Sequence, residues 1–510
     1  MLRTISALLI LIAVSVPAVR DASAVTGLPA ATLVAAWGRG DSGQLGAGAA
    51  SSLKATPASG PAMQGLLSDV RTVSAGGDHG VALANDGRVY AWGFNENGQV
   101  GDGTGDVRLY PQFVKDATGS GFLDNIVEVD AGADFNLALT ADGTVMAWGN
   151  NFTGMLGDGT SADNRLLPVT VAGGNGQGVL GNITAVSAGS NHSLALAADG
   201  TVWAWGSNAY GQLGVDSVLP LYPFPVRVLN QAGTAPLSNI VAVSAGDAFS
   251  LALSADGRVF GWGANGRGQL GSGSTSAVER LPVAARAVTG DGPLVGIESI
   301  SAGHSHSLAI TAERTALAWG DNRGGQLGIG FFGGYFEHPA PVAGLNGATA
   351  LGPVTAVSAG GDQSLAVLES GYVVSWGFNK YGQLGNGSTD PAPAPAEVMT
   401  QTARTVQGGT SIAAGRDFSL AVVHLARATL SAPATTTSLT IPVTLSGASY
   451  VSITGYYIGE SPAPPAYDSP LWLTNAPLAY MLPDSEGETV VYGFVKDELG
   501  LVSPPARVAV

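Results

Sequence analysis

The chain contains no cysteine in 510 residues. That absence excludes disulfides, thiolate metal sites, thiol nucleophiles and lipid attachment through sulfur. Charge is also scarce. Only 12% of residues are Asp, Glu, Lys or Arg, and 22 basic residues face 38 acidic ones for a formal net charge of −16. A phosphate backbone is gripped by Lys and Arg clusters that release counterions, and the sequence has no such cluster, so nucleic acid is not an expected partner. Long apolar runs are missing as well: the best, Ile5 to Val16, has 12 residues, where a membrane span needs about 20. No Gly-x-Ser-x-Gly elbow, zincin motif or phosphate loop occurs, so neither catalytic residues nor a metal or cofactor site is expected. What is abundant is glycine, 74 residues, within a chain that is 45% apolar. That combination suits a turn-rich all-β protein with a large core and excludes a disordered one.

The first 24 residues have the layout of an export signal. Arg3 gives the positive start, Ile5 to Val16 the apolar stretch, and Ala22-Ser23-Ala24 a small-residue cleavage site. The expected mature protein begins near Val25 and is secreted, periplasmic or at the cell surface, without a membrane span. Its acidic surface favours solubility, and a monomer is expected.

Internal repetition dominates the remainder. A Trp-Gly pair recurs at Trp37, Trp92, Trp148, Trp205, Trp262, Trp319 and Trp376, at spacings of 55, 56 and then 57 residues. Six residues after each Trp starts a Gly-Gln-Leu-Gly-like tetrapeptide, at Gly43, Gly98, Gly154, Gly211, Gly268, Gly325 and Gly382. A second signature, Ser-Ala-Gly followed by a Leu-Ala-Leu-like strand, begins at Ser74, Asp130, Ser187, Ser244, Ser301 and Ser358. Its seventh copy, 413–422, has no Trp-Gly after it, and Trp37 has no such strand before it. Two half-units make one whole, which predicts that the strand around Val34 to Trp37 pairs with 413–423 and closes a ring. Repeats of this size cannot bury their apolar faces alone and must stack.

Between the signatures, Asp86-Gly87, Asp142-Gly143, Asp199-Gly200 and Asp256-Gly257 read as two-residue hairpins. Glu313-Arg314 and Ser370-Gly371 occupy the same turn later, so these aspartates are turn formers and not calcium ligands. The strand after the turn is apolar on both faces, as in Trp203 and Trp205 against Val202 and Ala204. Sheets covered on both sides, blade against blade, satisfy that pattern. Pro57, Pro111, Pro168, Pro225, Pro282 and Pro339 open a short Val-rich outer strand, giving four strands per blade.

The pattern Ser-Ala-Gly-x-x-His-Ser-Leu-Ala-Leu, Asp-Gly, Trp-Gly-x-Asn-x-x-Gly-Gln-Leu-Gly resembles the regulator of chromosome condensation repeat over roughly residues 30 to 425. The resemblance implies a seven-bladed β-propeller of four-stranded antiparallel blades, here spanning 25–427, with the seven Trp residues as its structural repeat. Its known relatives bind proteins. They include nuclear exchange factors for a small GTPase, propellers fused to ubiquitin ligases or kinases, and a secreted bacterial inhibitor of β-lactamases. An export signal and a net negative charge run against the nuclear exchange role.

After the ring, residues 428–437 read as a linker, and 438–510 carry strand-like runs at Leu439 to Leu445, Tyr450 to Ile458 and Thr489 to Val495. They resemble the Ig-like sandwich modules of exported bacterial proteins, with Trp472 expected in the core.

His79, His192 and His306 share a slot that Phe135, Phe249, Gln363 and Phe418 fill elsewhere. Catalysis does not tolerate Phe, so they read as packed rings. The candidate partner-binding residues are Phe331, Phe332, Tyr335 and Phe336, in a Gly-rich insertion, and Tyr222 in a comparable stretch two blades earlier. Aromatics in loops on a rigid frame mark protein-binding hot spots. The expected function is an exported, non-enzymatic protein-binding scaffold. A carbohydrate or cell-wall binding module is the alternative, and nucleotide exchange or enzyme inhibition is third.

Overall fold

In the computed structural model the described residues are 32–424, 427–432, 440–448, 453–461, 463–465, 469–482, 489–497 and 506–510. The expected export signal lies outside them, as does 433–437 of the expected linker. Seven four-stranded antiparallel sheets follow one another. Blade 1 consists of Val70–Ala75, His79–Ala84, Val89–Gly93 and Arg108–Phe113, and blade 3 of Ile183–Ala188, His192–Ala197, Val202–Ser207 and Leu221–Arg227. Blades 2, 4, 5 and 6 repeat the plan over 126–170, 240–284, 297–341 and 354–397. The first strand of each blade touches those of its neighbours and lines the axis. Among the described residues, no helix is long and apolar enough to cross a membrane.

Blade 7 is assembled from both ends of the ring. Gly409–Ala414 and Phe418–His424 supply its inner strands, while Thr32–Gly38 and Ser52–Pro57 supply its outer ones. The join is a continuous register from Thr32 opposite His424 to Gly38 opposite Phe418, with Trp37 facing Ser419. Blade 7 then meets blade 1 through the Ser411 and Thr72 hydroxyls, 3.1 Å apart. The ring is a closed seven-bladed propeller.

The tetrapeptide explains itself at each seam. The indole N–H of every repeat Trp donates to the carbonyl of the second tetrapeptide residue one blade earlier, from Trp92 to Gln44 at 2.8 Å round to Trp37 to Gln383 at 2.9 Å. The third residue, such as Leu213 or Leu384, is wholly buried. The last residue must be Gly: a Cβ on Gly385, at φ +64°, would sit 2.7 Å from the Trp37 ring. All seven indoles are wholly buried.

The outer strands begin earlier than their prolines suggest. In blade 3 the strand starts at Leu221, and a bulge between Tyr222 and Val226 carries Pro225 at an edge where no ladder N–H is needed. Pro57 breaks this pattern and pairs with Ala35 beyond the bulge.

Between the inner strands of blades 2 and 3, two carboxylates are buried. Asp130 stands in the repeat's Ser position and accepts from the Ser74 and Ser187 hydroxyls and the Ala188 N–H. Glu128 accepts from the Val186 N–H at 3.3 Å. Burial, with Asp130 close by and Arg71 only partly compensating, pushes the Glu128 carboxyl up to about 8.

Beyond the ring, Arg427–Ser431 pairs with Thr444–Ala448, and Ile453–Gly459, Val490–Asp497 and Ala506–Ala509 form a second sheet. The first pair packs on the second sheet, burying Leu445 and Val495 with Leu430, Tyr456 and Ile458 around them. Residues 428–431 therefore belong to a strand of this module and not to a linker, because Leu430 fills its core. Trp472 is 9% exposed and meets the Tyr457 ring edge-on. Thr440–Pro442 pairs with Ala479–Met481, and neither that second strand nor Ala506–Ala509 was legible in the sequence.

Two stability predictions follow from this packing. Trp37→Ala should cost about 3–5 kcal/mol, since it leaves a cavity at the closing sheet and removes one of the two donors to the Gln383 carbonyl; urea unfolding monitored by far-UV circular dichroism measures it. For Glu128 the sign is that of a raised acid: the unfolded chain deprotonates near 4.5 but the folded one near 8, so stability declines as pH rises through that window and levels off above it. Glu128→Gln, whose amide oxygen can still accept from Val186, should melt higher than the parent at pH 8 and no higher at pH 4.5.

Candidate functional site

Turns between first and second strands, and loops between third and fourth, open on one face of the ring; hairpins and blade-to-blade connections open on the other. The loop face is held rigid by its Asn and Gln side chains. In blade 5 the Asn322 amide oxygen accepts from the Leu327 N–H, and its amide nitrogen donates to the Phe331 carbonyl. Gln326 accepts from the Gly324 N–H and donates to Asp362 at 3.2 Å. The same Gln-to-Asp bond recurs from Gln44 to Asp78, Gln99 to Asp134 and Gln383 to Asp417. These carboxylates all lie in the turns between first and second strands. Arg416 and Arg39 pair with Asp78, and His304 pairs with Asp247 at 3.0 Å. The bond to Asp247 raises the His304 pKa, whereas burial pushes Asp362 and Asp417 up.

The five aromatic candidates separate into two groups. Phe331, Phe332 and Tyr335 are 54%, 47% and 44% exposed. Tyr222 and Phe336 instead hold a template position, each facing the Gly of its Trp-Gly pair, where Arg108, Arg165 and Glu279 stand in other blades. Both are half-buried against the cores of their blades. Tyr335 also lies on the outer strand, opposite Asp321, so the loop proper is 329–334. Phe331 leans toward Phe336 at 6.0 Å, and Phe332 packs over Gly325, where a Cβ would come within 2.9 Å of its ring.

Sequence reasoning missed the charged frame around Tyr335. Arg267 of blade 4 and Arg323 of blade 5 both grip the Asp321 carboxylate at 2.7 Å. Their guanidinium carbons stand 4.9 and 5.7 Å from the Tyr335 ring centroid. Burial alone would raise Asp321, but the hydrogen bond and charge of Arg323 and the charge of Arg267 outweigh it and hold the carboxyl low. The available signal was Asp321 itself, a carboxylate where the other blades carry Arg39, Phe94, Asn150, Ser207, Ala264 or Phe378.

The slot histidines lie at blade seams. His192 and His306 approach the Ser250 and Ser364 hydroxyls at 2.9 Å. Each of those hydroxyls donates its only proton to a tetrapeptide carbonyl, Gln212 or Gln326. The imidazole therefore donates from Nε2, and its Nδ1 has no hydrogen-bond partner. Burial lowers His192 to about 4 and His306 to about 3. His79 makes the equivalent bond to Asn136 at 2.8 Å. Among the described residues no group of three or more His, Asp or Glu could hold a metal ion.

A closed ring of near-identical blades, with side chains of opposite character presented from its loops, defines a rigid repeat scaffold. The chain belongs to the RCC1-like domain family, whose model matches residues 33–421. It is 34% identical to the ultraviolet-B receptor UVR8 of Arabidopsis thaliana over 58% of this chain and 62% of the receptor. Against the human E3 ubiquitin-protein ligase HERC2 it is 32% identical over 76% of this chain, which is 8% of the ligase. The human regulator of chromosome condensation is 27% identical over 72% of this chain and 85% of that protein. The chain thus spans under two thirds of the receptor and a small part of the ligase. Among solved structures, Prp20p of Saccharomyces cerevisiae superposes with a TM-score of 0.63 over 78% of this chain and 93% of its own at 22% identity, a likeness of fold.

A histidine kept neutral in the fold but protonated near 6.5 when unfolded loses stability as pH falls below 6.5 toward its folded value. His306→Phe, which copies the Phe249 and Phe418 blades, should flatten that acid limb; urea midpoints between pH 7 and pH 4 report it.

Proposed function

We propose that this chain is an exported, non-enzymatic scaffold that captures a protein partner on the loop face of blades 4 to 6. The observation that carries this reading is the sector around Tyr335. An amphipathic ring, two guanidiniums fixed by a buried carboxylate and two exposed Phe side chains form a pre-ordered patch in a chain otherwise poor in cations. Rigid aromatic and Arg anchors are the residues from which binding hot spots are built, because little side-chain entropy remains to be lost. Relatives support a protein-binding role: the yeast propeller is described with binding properties toward Gsp1p and histones, and another structure has it bound to Kap60. Export rests on the layout of residues 1–24, and the acidic balance supports a soluble protein that does not seek nucleic acid. The C-terminal module, read as Ig-like, spaces or anchors the ring.

Replacing Phe332 and Tyr335 together by Ser is the direct test. The double variant should melt within a few degrees of the parent while losing capture of proteins crosslinked from the native extracellular milieu. Undiminished capture would refute the assignment, and unfolding of the double variant would show that these rings serve packing instead.

A further inference from the structure

Charge on the loop face is sorted by blade. The two residues before each Gly-Gln-Leu-Gly-like tetrapeptide lie in the loop between third and fourth strands, and round the ring they change character in blocks. Blades 2 and 3 present Phe152 and Tyr210, 60% and 52% exposed. Blades 4, 5 and 6 present Arg267, Arg323 and Lys380, whereas blades 7 and 1 present Asp41 and Glu96. In a chain with so few cations, three in succession at one template position form an arc of one sign.

These cations keep donors free for a ligand. The Arg323 side chain is 57% exposed and spends Nε and Nη2 on Asp321, which leaves Nη1 without a hydrogen bond. Arg267 donates to Asp321 through Nη1 alone, and its Nε and Nη2 are neither bonded nor occluded. One carboxylate shared by two guanidiniums leaves a positive charge over. Lys380 is exposed, has no carboxylate within ion-pair reach among the described residues, and holds its ammonium 5.4 Å from the Tyr381 ring centroid. Arg39 of blade 7 lies over the same ring at 5.5 Å. A ring flanked by two cations therefore occurs twice on this face, at Tyr335 and at Tyr381, and each ring restrains its cations before any ligand arrives. The two clusters adjoin, since a Cβ on Gly324 would lie 3.5 Å from the Phe378 Cβ, two residues before Lys380.

Guanidinium edges take carboxylates through parallel hydrogen bonds, and an ammonium takes them as a point charge. The exposed Phe331 and Phe332 beside them take apolar side chains. A long polyphosphate fits less well, because the arc is short, the adjoining blades 7 and 1 are acidic and the whole chain carries −16. We propose that blades 4 to 6 bind a short acidic segment of a protein, its carboxylates on Arg267, Arg323 and Lys380 and its apolar side chains on Phe331 and Phe332. This assignment rests on the protein-binding reading of the loop face and gives that partner its chemistry.

Fluorescence anisotropy of the full-length protein with a labelled peptide of repeated Glu-Glu-Phe units tests it, beside a Gln-Gln-Phe analogue and oligo-deoxythymidylate. The acidic peptide should bind saturably and the other two should not. Its binding should weaken as salt rises from about 0.1 M to about 1 M, where the screening length falls from about 10 Å to about 3 Å. Replacing Arg323 and Lys380 together by Gln should weaken it at least about tenfold. Arg314→Gln, which removes an exposed guanidinium from a hairpin on the opposite face, should leave it unchanged. Absence of acidic-peptide binding, equal binding of the Gln analogue or of the oligonucleotide, undiminished binding by a folded Arg323 and Lys380 double variant, or an equal loss in Arg314→Gln would overturn the proposal. Capture from the native milieu that depends on Phe332 and Tyr335 but is indifferent to salt, Arg323 and Lys380 would remove the acidic chemistry and leave the binding face standing.

Discussion

One backbone carbonyl per blade holds this ring together. The second residue of each tetrapeptide offers its oxygen to the next blade, where the indole N–H takes one lone pair. In five seams a Ser hydroxyl takes the other, as Ser193 does on Met155 and Ser419 on Gln383. In a sixth the donor is the Asn136 amide, on Gln99. A buried carbonyl with two satisfied lone pairs in a dry seam is directional where apolar packing is not, so it sets the register of blade on blade. The repeat spacing, the Gly that clears space for the indole and the Ser or His of the second strand all answer to it.

Most of that architecture was legible because the motif repeats seven times and because both termini carried half a unit. The outer strand was less so. Proline suggested a start that the structure places about four residues earlier, because a bulge lets Pro225 sit within an edge strand. That error made Tyr222 and Phe336 look like insertions when they are regular members of their sheets. Phe331 and Phe332 also sit in a loop that other blades share: Asn322 donates to the Phe331 and Gly333 carbonyls as Asn95 does to those of Thr104 and Asp106, so the side chains depart from the repeat and the loop itself is no insertion. Arg267 and Arg323 were invisible for a different reason: each acquires its meaning from a partner on another strand or another blade, and such pairs leave no periodic trace. The strand at Arg427–Ser431 was lost behind the Ala- and Thr-rich composition that follows it.

Electrostatics divides the molecule unevenly. The turns between first and second strands carry carboxylates tied to Gln side chains and only partly matched by Arg39, Arg416 and His304. The loops of blades 4 and 5 reverse that sign locally through Arg267 and Arg323. Both cations are anchored to one carboxylate, so little of their charge is free to wander, and what they offer is orientation more than field. The loops of blades 4 and 5 thus depart locally from a frame that is nearly uniform elsewhere.

The sheet that mixes strands from both ends has a temporal meaning. During synthesis Thr32–Gly38 leaves the ribosome before the rest of the ring, yet its neighbour Phe418–His424 does not exist until nearly the whole ring has been made. Until then the nascent chain keeps a naked edge and an unshut circle, open to capture by a chaperone. Once shut, the circle has no loose terminus inside it from which a protease could begin to peel it.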